Sequence, residues 1–147
     1  MTSKVIATIR SIVESDSIVA ANLSKYEGYP ALTFQTAQSD MQMPYVIMRI
    51  ESNNPDDVAV VDRMVLNLDV YCNHGDYEKA DTVATQIEKL LDREASLLRE
   101  AGILTIHRMG RTPIPDEDPS VIHINLKFLV RTTRMDLYEK EDLHNES

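Results

Sequence analysis

Apolar and polar residues alternate most regularly near the C-terminus, over residues 121–132. A period of two indicates a β-strand with one buried face and one polar face. The apolar positions are Ile122, Ile124, Leu126, Phe128 and Val130, and the polar positions between them are His123, Asn125, Lys127 and Arg131. This segment therefore predicts a sheet that is apolar on one side only.

Three other segments show strand periodicity, over residues 44–51, 63–71 and 104–109. The polar residues 52–62 separate the first two segments, so we expect these two strands to pair as a long hairpin. Their apolar positions are Val46, Met48 and Ile50 in the first strand, Met64, Leu66, Leu68 and Val70 in the second, and Leu104 and Ile106 in the third.

Two segments have helical periodicity instead. Behind Thr2 and Ser3, apolar residues recur every three or four positions and predict a helix that ends near Asp16. A second helix is predicted over residues 76–92, and Gly102 is a candidate C-cap for an extension or a short helical turn after it.

The remaining segments predict connections. Residues 22–43 have no sustained period and predict a long loop with one short strand over residues 31–35. Residues 111–120 combine prolines with acidic residues and predict a rigid acidic connection. Residues 139–147 form an acidic tail that we expect to be flexible.

This order of elements predicts a single α+β domain over residues 1–138. We expect a mostly antiparallel four-stranded sheet, with a possible extra short strand or hairpin, and both main helices on one face. The opposite face is left to water or to another subunit. The polar residues expected on it are Arg49, Arg63, Asn67, Asp69, His107, His123, Asn125, Lys127 and Arg131.

Composition narrows the class of protein. The chain has 147 residues and a formal net charge of −9, which disfavours binding to DNA phosphates and to anionic membranes. One cysteine excludes an internal disulfide, and the N-terminus lacks the apolar run of a signal peptide. We therefore expect a soluble protein that folds in a reducing cytoplasm.

The sequence "DVYCNHGDYEKA", residues 69–80, places several possible ligands close together. Zinc sites draw on paired ligands, and no second pair accompanies Cys72 and His74. We interpret Asn73 and Asp76 as helix-capping residues and Cys72 as a packing residue. We expect no catalytic residue, metal or cofactor here.

The acidic residues Asp116, Glu117 and Asp118 lack the spacing of a calcium loop, and we interpret them as a solvated connection. The chain also lacks a phosphate-binding glycine loop, a G-x-S-x-G motif and an H-E-x-x-H motif. One enzymatic hypothesis stays open. It is a cytoplasmic enzyme or small-ligand module of ferredoxin-like build that uses Cys72 with a histidine, which is His74, His107 or His123.

Four short strings of residues point to a family. The sequences "MPYVIMRIE", "DRMVLNLDVYC", "YEKADTVATQIEKLL" and "VIHINLKFLVRT" follow an N-terminal amphipathic helix. In this order they resemble the tail terminator and tail completion (head-to-tail joining) proteins of long-tailed bacteriophages. The resemblance covers residues 3–134 and rests on the order of elements and on short strings.

The resemblance implies a structural virion protein that is not an enzyme. Its subunits are expected to form a hexameric ring that terminates the tail tube and provides the head-joining interface. The implied partners are further copies of the chain, the tail tube protein and head–neck connector proteins. DNA would pass through an acidic lumen without specific binding. The protein would stay in the host cytoplasm before assembly, and a neck or head completion protein is the alternative within this class.

The resemblance and the polar face together suggest contact residues. Polar contacts between subunits or with the tube are predicted for Arg49, Arg63, Asp69, Lys127 and Arg131. Solvated strand positions explain these residues equally well. Loop contacts are predicted for Tyr29, Asp56, Asp57, Asp116, Glu117 and Asp118, because binding residues concentrate on loops held by a rigid scaffold.

Overall fold

The structure is a computed structural model that describes residues 2–58, 60–94 and 98–138. The predicted acidic tail, residues 139–147, lies outside the described residues. In chain order the elements are α1 Thr2–Glu14, α2 Ser17–Asn22, β1 Lys25–Tyr26, β2 Tyr29–Pro30, β3 Leu32–Phe34, β4 Tyr45–Pro55, β5 Val61–Asn73, α3 Tyr77–Leu91, β6 Ile103–Ile114 and β7 Val121–Thr133.

The four long strands form the antiparallel order β4-β5-β7-β6, as the alternation predicted. The complete sheet differs from the prediction because β3 adds a fifth strand that runs parallel to β4. A separate two-stranded hairpin, β1–β2, precedes it. The fold is therefore α+β with a mixed five-stranded sheet. The predicted short strand near residues 31–35 is confirmed as β3.

The long strands extend beyond their predicted ends because pairing continues into polar segments. The β4–β5 hairpin includes residues 52–55, and β6 includes residues 111–114, which we expected in connections. The predicted placement of Leu104 and Ile106 on the same apolar face of β6 was also wrong. A register shift between Ile103 and Thr105 leaves Leu104 40% exposed, whereas Ile103 and Ile106 are buried.

The two main helices are confirmed, and a third short helix, α2, was missed. Asp16 caps α2 by accepting hydrogen bonds from the backbone N–H groups of Ile18, at 3.1 Å, and Val19, at 3.0 Å. Gly102 adopts a left-handed φ of 90° and ends the short 3₁₀ turn Arg99–Ala101, so the predicted C-cap is confirmed.

The predicted capping roles of Asn73 and Asp76 are wrong. Neither side chain makes a capping hydrogen bond. Asn73 precedes the 3₁₀ turn His74–Asp76 and Asp76 precedes α3, so both occupy N-cap positions, but their side chains leave the backbone N–H groups uncapped. Asp76 instead faces Lys79 at 3.9 Å.

The hydrophobic core lies between the helices and one face of the sheet. Because every second residue of a strand points to the same side, four strands contribute alternate apolar residues to it. Fully buried members from the strands include Met48, Leu66, Leu68, Ile106, Leu126 and Phe128, and those from the helices include Ile9, Val13, Val83, Ile87 and Leu91.

Candidate functional site

The sheet face opposite the helices is the candidate site, and we call it the open face. It consists of the alternate side chains of β4, β5, β7 and β6 that point away from the core. The strand register aligns them in rows: Tyr45, Tyr71, His123 and Ile114; Ile47, Asp69, Asn125 and Thr112; Arg49, Asn67, Lys127 and Gly110; Val65, Leu129 and His107; and Asn54, Arg63, Arg131 and Thr105. All nine polar residues predicted for this face lie on it.

Asp69 is the centre of the open face. One carboxylate oxygen accepts a hydrogen bond from Asn125 Nδ2 at 2.7 Å and lies 2.7 Å from His123 Nε2. The other oxygen accepts from Arg49 Nε at 2.9 Å. The strands on both sides of β5 therefore supply the groups that hold this carboxylate, Arg49 from β4 and His123 with Asn125 from β7.

We expected Asp69 on a face left to water or to another subunit, yet only 2% of its surface is exposed. Asn67 and Asn125 beside it are buried as well, and Asn125 also donates to Asn67 Oδ1 at 2.8 Å. Asn67 Nδ2 has no hydrogen-bond partner among the described residues. These three residues are therefore buried although they lie on the sheet face opposite the hydrophobic core.

The environment of Asp69 favours its charged form. Burial by itself raises the pKa of this carboxyl group, but hydrogen bonds from His123, Asn125 and Arg49 outweigh it and hold the pKa below its usual range. The buried carboxylate is thus compensated, which a buried charge requires. The arrangement binds the three strands together, and both carboxylate oxygens are already engaged by the chain itself.

Aromatic rings extend the network at one end of the open face. The ring of Tyr71 stacks on His123 with centroids 4.2 Å apart, and it lies 5.2 Å from the ring of Tyr45. Burial raises the pKa of both phenols, and the negative charge of Asp116 raises it further. Asp116 in the β6–β7 turn therefore lies near this end.

The predicted cations lie in exposed or partly exposed positions of the open face. Lys127 Nζ donates to Glu51 at 2.8 Å, and Arg131 Nε donates to Asp56 at 2.7 Å. The bond from Arg131 keeps the pKa of Asp56 below its usual range. Arg63 is exposed and forms no ion pair with any described residue.

The predicted loop residues divide into two groups. Tyr29 is 68% exposed but belongs to strand β2 instead of a loop, and the side chain of Asp56 is occupied by Arg131. The second group consists of four exposed acidic residues whose side chains a partner could contact, Asp57, Asp116, Glu117 and Asp118. The contacts of these residues with partners stay predictions.

Cys72 lies on the other side of the sheet, in the core below the helices. Its side chain is fully buried, and burial raises the pKa of its thiol, with a smaller contribution from Asp76. His107 and His123 lie on the open face and so cannot reach it. The enzymatic hypothesis is thereby reduced to Cys72 with His74, which is exposed in the turn before α3.

His107 and His123 lie on neighbouring strands but do not approach each other. On the β6–β7 ladder His107 pairs with Leu129, and Leu129 lies six residues from His123 along β7. At about 3.3 Å per residue this separates them by roughly 20 Å. Within the described part of the chain, no cluster of three potential metal ligands is present.

A groove of about 690 Å³ between α1 and β3 is the main alternative site. Ile6, Ala7, Phe34 and Ile50 line it together with polar residues at its rim. The titratable groups at its rim are Arg10 and Glu14, which pair with each other at 3.4 Å. Among residues 2–58, 60–94 and 98–138, no helix has the length and apolarity needed to cross a membrane.

Comparisons with known proteins give a fold and no family. No protein-family model and no curated protein matches the chain. A chain from the solved virion of a native gene transfer agent particle superposes with a TM-score of 0.65. It is 14% identical and the match covers 85% of this chain and 91% of that one, so the two share a fold. A second solved structure, 12% identical over 88% of this chain and 96% of its own, has a TM-score of 0.47, too low to support an argument.

Proposed function

We propose that this chain is a structural protein of a phage or phage-like particle. In this proposal its copies form a ring that ends the tail tube and provides the surface for head joining. The observation that carries it is the fold shared with a chain of the gene transfer agent virion over most of both chains. The order of helices and strands that resembles tail terminator proteins supports the same role.

The open face is compatible with this role. A ring subunit needs two different surfaces that complement each other, because a head-to-tail contact generates a closed ring. The open face offers a large ordered polar surface that no described element of its own chain covers. The chain's net charge of −9 fits a ring through which DNA passes without adhering, since a net negative charge repels phosphates.

A neck or head completion protein is the alternative within the same class, since its subunits would have the same size. The two roles differ in what the ring binds. A tail terminator binds the end of a tail tube, whereas a neck protein binds the portal side of the head. The fold shared with a virion chain is compatible with both.

The proposal is tested on purified protein mixed with purified tail tubes. We expect light scattering to detect an assembled species and electron microscopy to show rings with a central hole at one end of each tube. Deleting the gene is expected to yield overlong or headless tails. Particles that assemble normally without the protein would contradict the proposal, and rings bound only to heads would favour the neck alternative.

A further inference from the structure

The open face presents cations to solvent although the protein is acidic. It carries four cations, Arg49, Arg63, Lys127 and Arg131, and three carboxylates, those of Glu51, Asp56 and Asp69. The side chain of Asp69 is 2% exposed and that of Asp56 is 13% exposed. In contrast, 42% of the Arg49 side chain and 38% of the Lys127 side chain are exposed. Glu51, at 41%, is the one carboxylate of these three with comparable exposure, so a partner would meet mainly positive groups.

The same chain carries an element of the opposite sign, the β6–β7 turn over residues 115–120. Asp116, Glu117 and Asp118 are all exposed there, and none forms an ion pair with a described cation. We call these three residues the acidic turn. Its backbone is ordered by hydrogen bonds, because Asp116 accepts from the N–H of Asp118 at 3.0 Å and Asp118 accepts from the N–H of Ser120 at 2.9 Å.

Two prolines restrict the acidic turn further, Pro115 before it and Pro119 after its last carboxylate. A proline fixes φ, so less conformational freedom is lost when such a turn binds. The acidic turn is thus a preorganised group of three negative charges. This distinguishes it from acidic residues such as Asp56 and Asp62, whose carboxylates are already held by arginines of their own chain.

The acidic turn cannot neutralise the cations of its own open face. It follows Ile114, the last residue of β6, whose row contains His123, Tyr71 and Tyr45, so it lies at that end of the open face. Arg49 and Lys127 align with Asn67, four residues from Tyr71 along β5, or roughly 13 Å. Arg63 lies eight residues from Tyr71, or roughly 26 Å. The acidic turn of another copy is not restricted by this separation and can meet these cations.

We infer that the open face of one copy binds the acidic turn of a neighbouring copy. This inference rests on the proposed ring and identifies the two surfaces that a head-to-tail contact requires. A second copy is favoured over nucleic acid because the chain itself supplies the complementary group, an exposed acidic turn that forms no ion pair with a described cation of its own copy. Arg63 and Lys127 are the cations that this contact would use without releasing a buried carboxylate, since Arg63 has no described partner and Glu51 is itself exposed.

Three variants test this contact: one changes the charges of the open face, one changes those of the acidic turn, and one combines both sets of changes. The face variant is Arg63→Glu with Lys127→Glu. The turn variant is Asp116→Asn, Glu117→Lys and Asp118→Asn, in which the asparagines keep the acceptors that order the turn. A matched control reverses two exposed lysines of α3, Lys79→Glu with Lys89→Glu, and changes the net charge as much as the face variant does.

We expect each single-sided variant to weaken assembly about tenfold in dissociation constant at low salt, as the loss of a few exposed ion pairs would. The control should change assembly less than about twofold. Combining the face and turn variants should restore assembly, because the charges are then exchanged. Mass photometry over a concentration series measures this, and circular dichroism confirms that each variant is folded.

Several outcomes would overturn the inference. Rings that form equally well in all variants would contradict the contact and leave the ring proposal intact. Failure of the combined variant to recover, with the folded state preserved, would also contradict it. Salt-dependent binding of duplex DNA that the face variant abolishes would assign the open face to nucleic acid. A wild-type chain that neither assembles nor binds tubes would overturn the inference together with the proposed function.

Discussion

The two faces of the sheet use the same four strands and reach burial in different ways. On the helix-covered face, apolar side chains such as Leu68 and Phe128 are buried below α1 and α3. On the open face, Asn67, Asp69 and Asn125 are buried and joined by hydrogen bonds. The first face needs a cover because water must be excluded from it. The second face is ordered without a cover and stays available to a partner.

The largest effect should come from truncating the helix-covered face. Phe128→Ala removes a fully buried ring and should lower the free energy of unfolding by about 3–5 kcal/mol. The matched control is Leu129→Ala, the next residue along β7, which is half-buried on the open face. It should cost about 1 kcal/mol or less. Urea unfolding compares the two, and equal losses would contradict the division of the sheet into two faces.

The next largest effect should come from the centre of the open face. Asp69→Ala removes the acceptor shared by Arg49, His123 and Asn125, and should cost about 2–3 kcal/mol. Asp69→Asn keeps an acceptor oxygen and should cost less. Asp57→Ala, an exposed carboxylate in the β4–β5 turn, is the control and should change stability by under about 0.5 kcal/mol. If Asp69→Ala behaved like that control, the network would not stabilise the sheet.

A smaller effect concerns acid stability. The folded pKa of Asp69 lies below its unfolded value, so its contribution is present above about pH 4 and is lost as the pH falls through the folded pKa. We expect the free energy of unfolding of the wild type to fall between about pH 5 and pH 2. The Asp69→Asn variant should show a shallower fall in the same urea titrations. Parallel curves for the two proteins would be inconsistent with a charged, hydrogen-bonded Asp69.

The smallest effect should come from the exposed ion pair between Lys127 and Glu51. Their side chains are 38% and 41% exposed, so solvent and salt screen their interaction. Lys127→Gln should leave the thermal unfolding midpoint within about 2 °C of the wild type. A larger decrease, measured by differential scanning calorimetry, would mean that the rim of the open face contributes to stability as its centre does.

The sequence predicted the two faces better than it predicted their details. Strict alternation in β5 and β7 assigned Leu68 to the core and Asp69 to the polar side, because the strand period depends on local geometry alone. It could not predict the burial of Asp69. That burial requires Asn125 from β7 to lie in the same register row as Asp69 and Arg49 from β4 to lie in the adjacent row. The alternation within one strand does not determine its register with a strand that is distant in the sequence.

Other misses have equally specific causes. The parallel pairing of β3 joins residues that are separated by a loop without periodicity, so only the folded chain reveals its direction. Helix α2 has six residues, too few for a helical period to be visible, although Asp16 before it was a detectable cap signal. The register shift at Leu104 reverses the apolar alternation locally and could not be read from it.

An electron cryo-microscopy structure of the assembled protein at the end of a tail tube would show directly which surfaces join the subunits. We predict a closed ring in which the open face of each subunit is covered by its neighbour, with Arg63 and Lys127 beside the carboxylates of Asp116, Glu117 and Asp118. A ring whose subunits meet through α1 and α3 while the open face points into solvent would contradict this prediction.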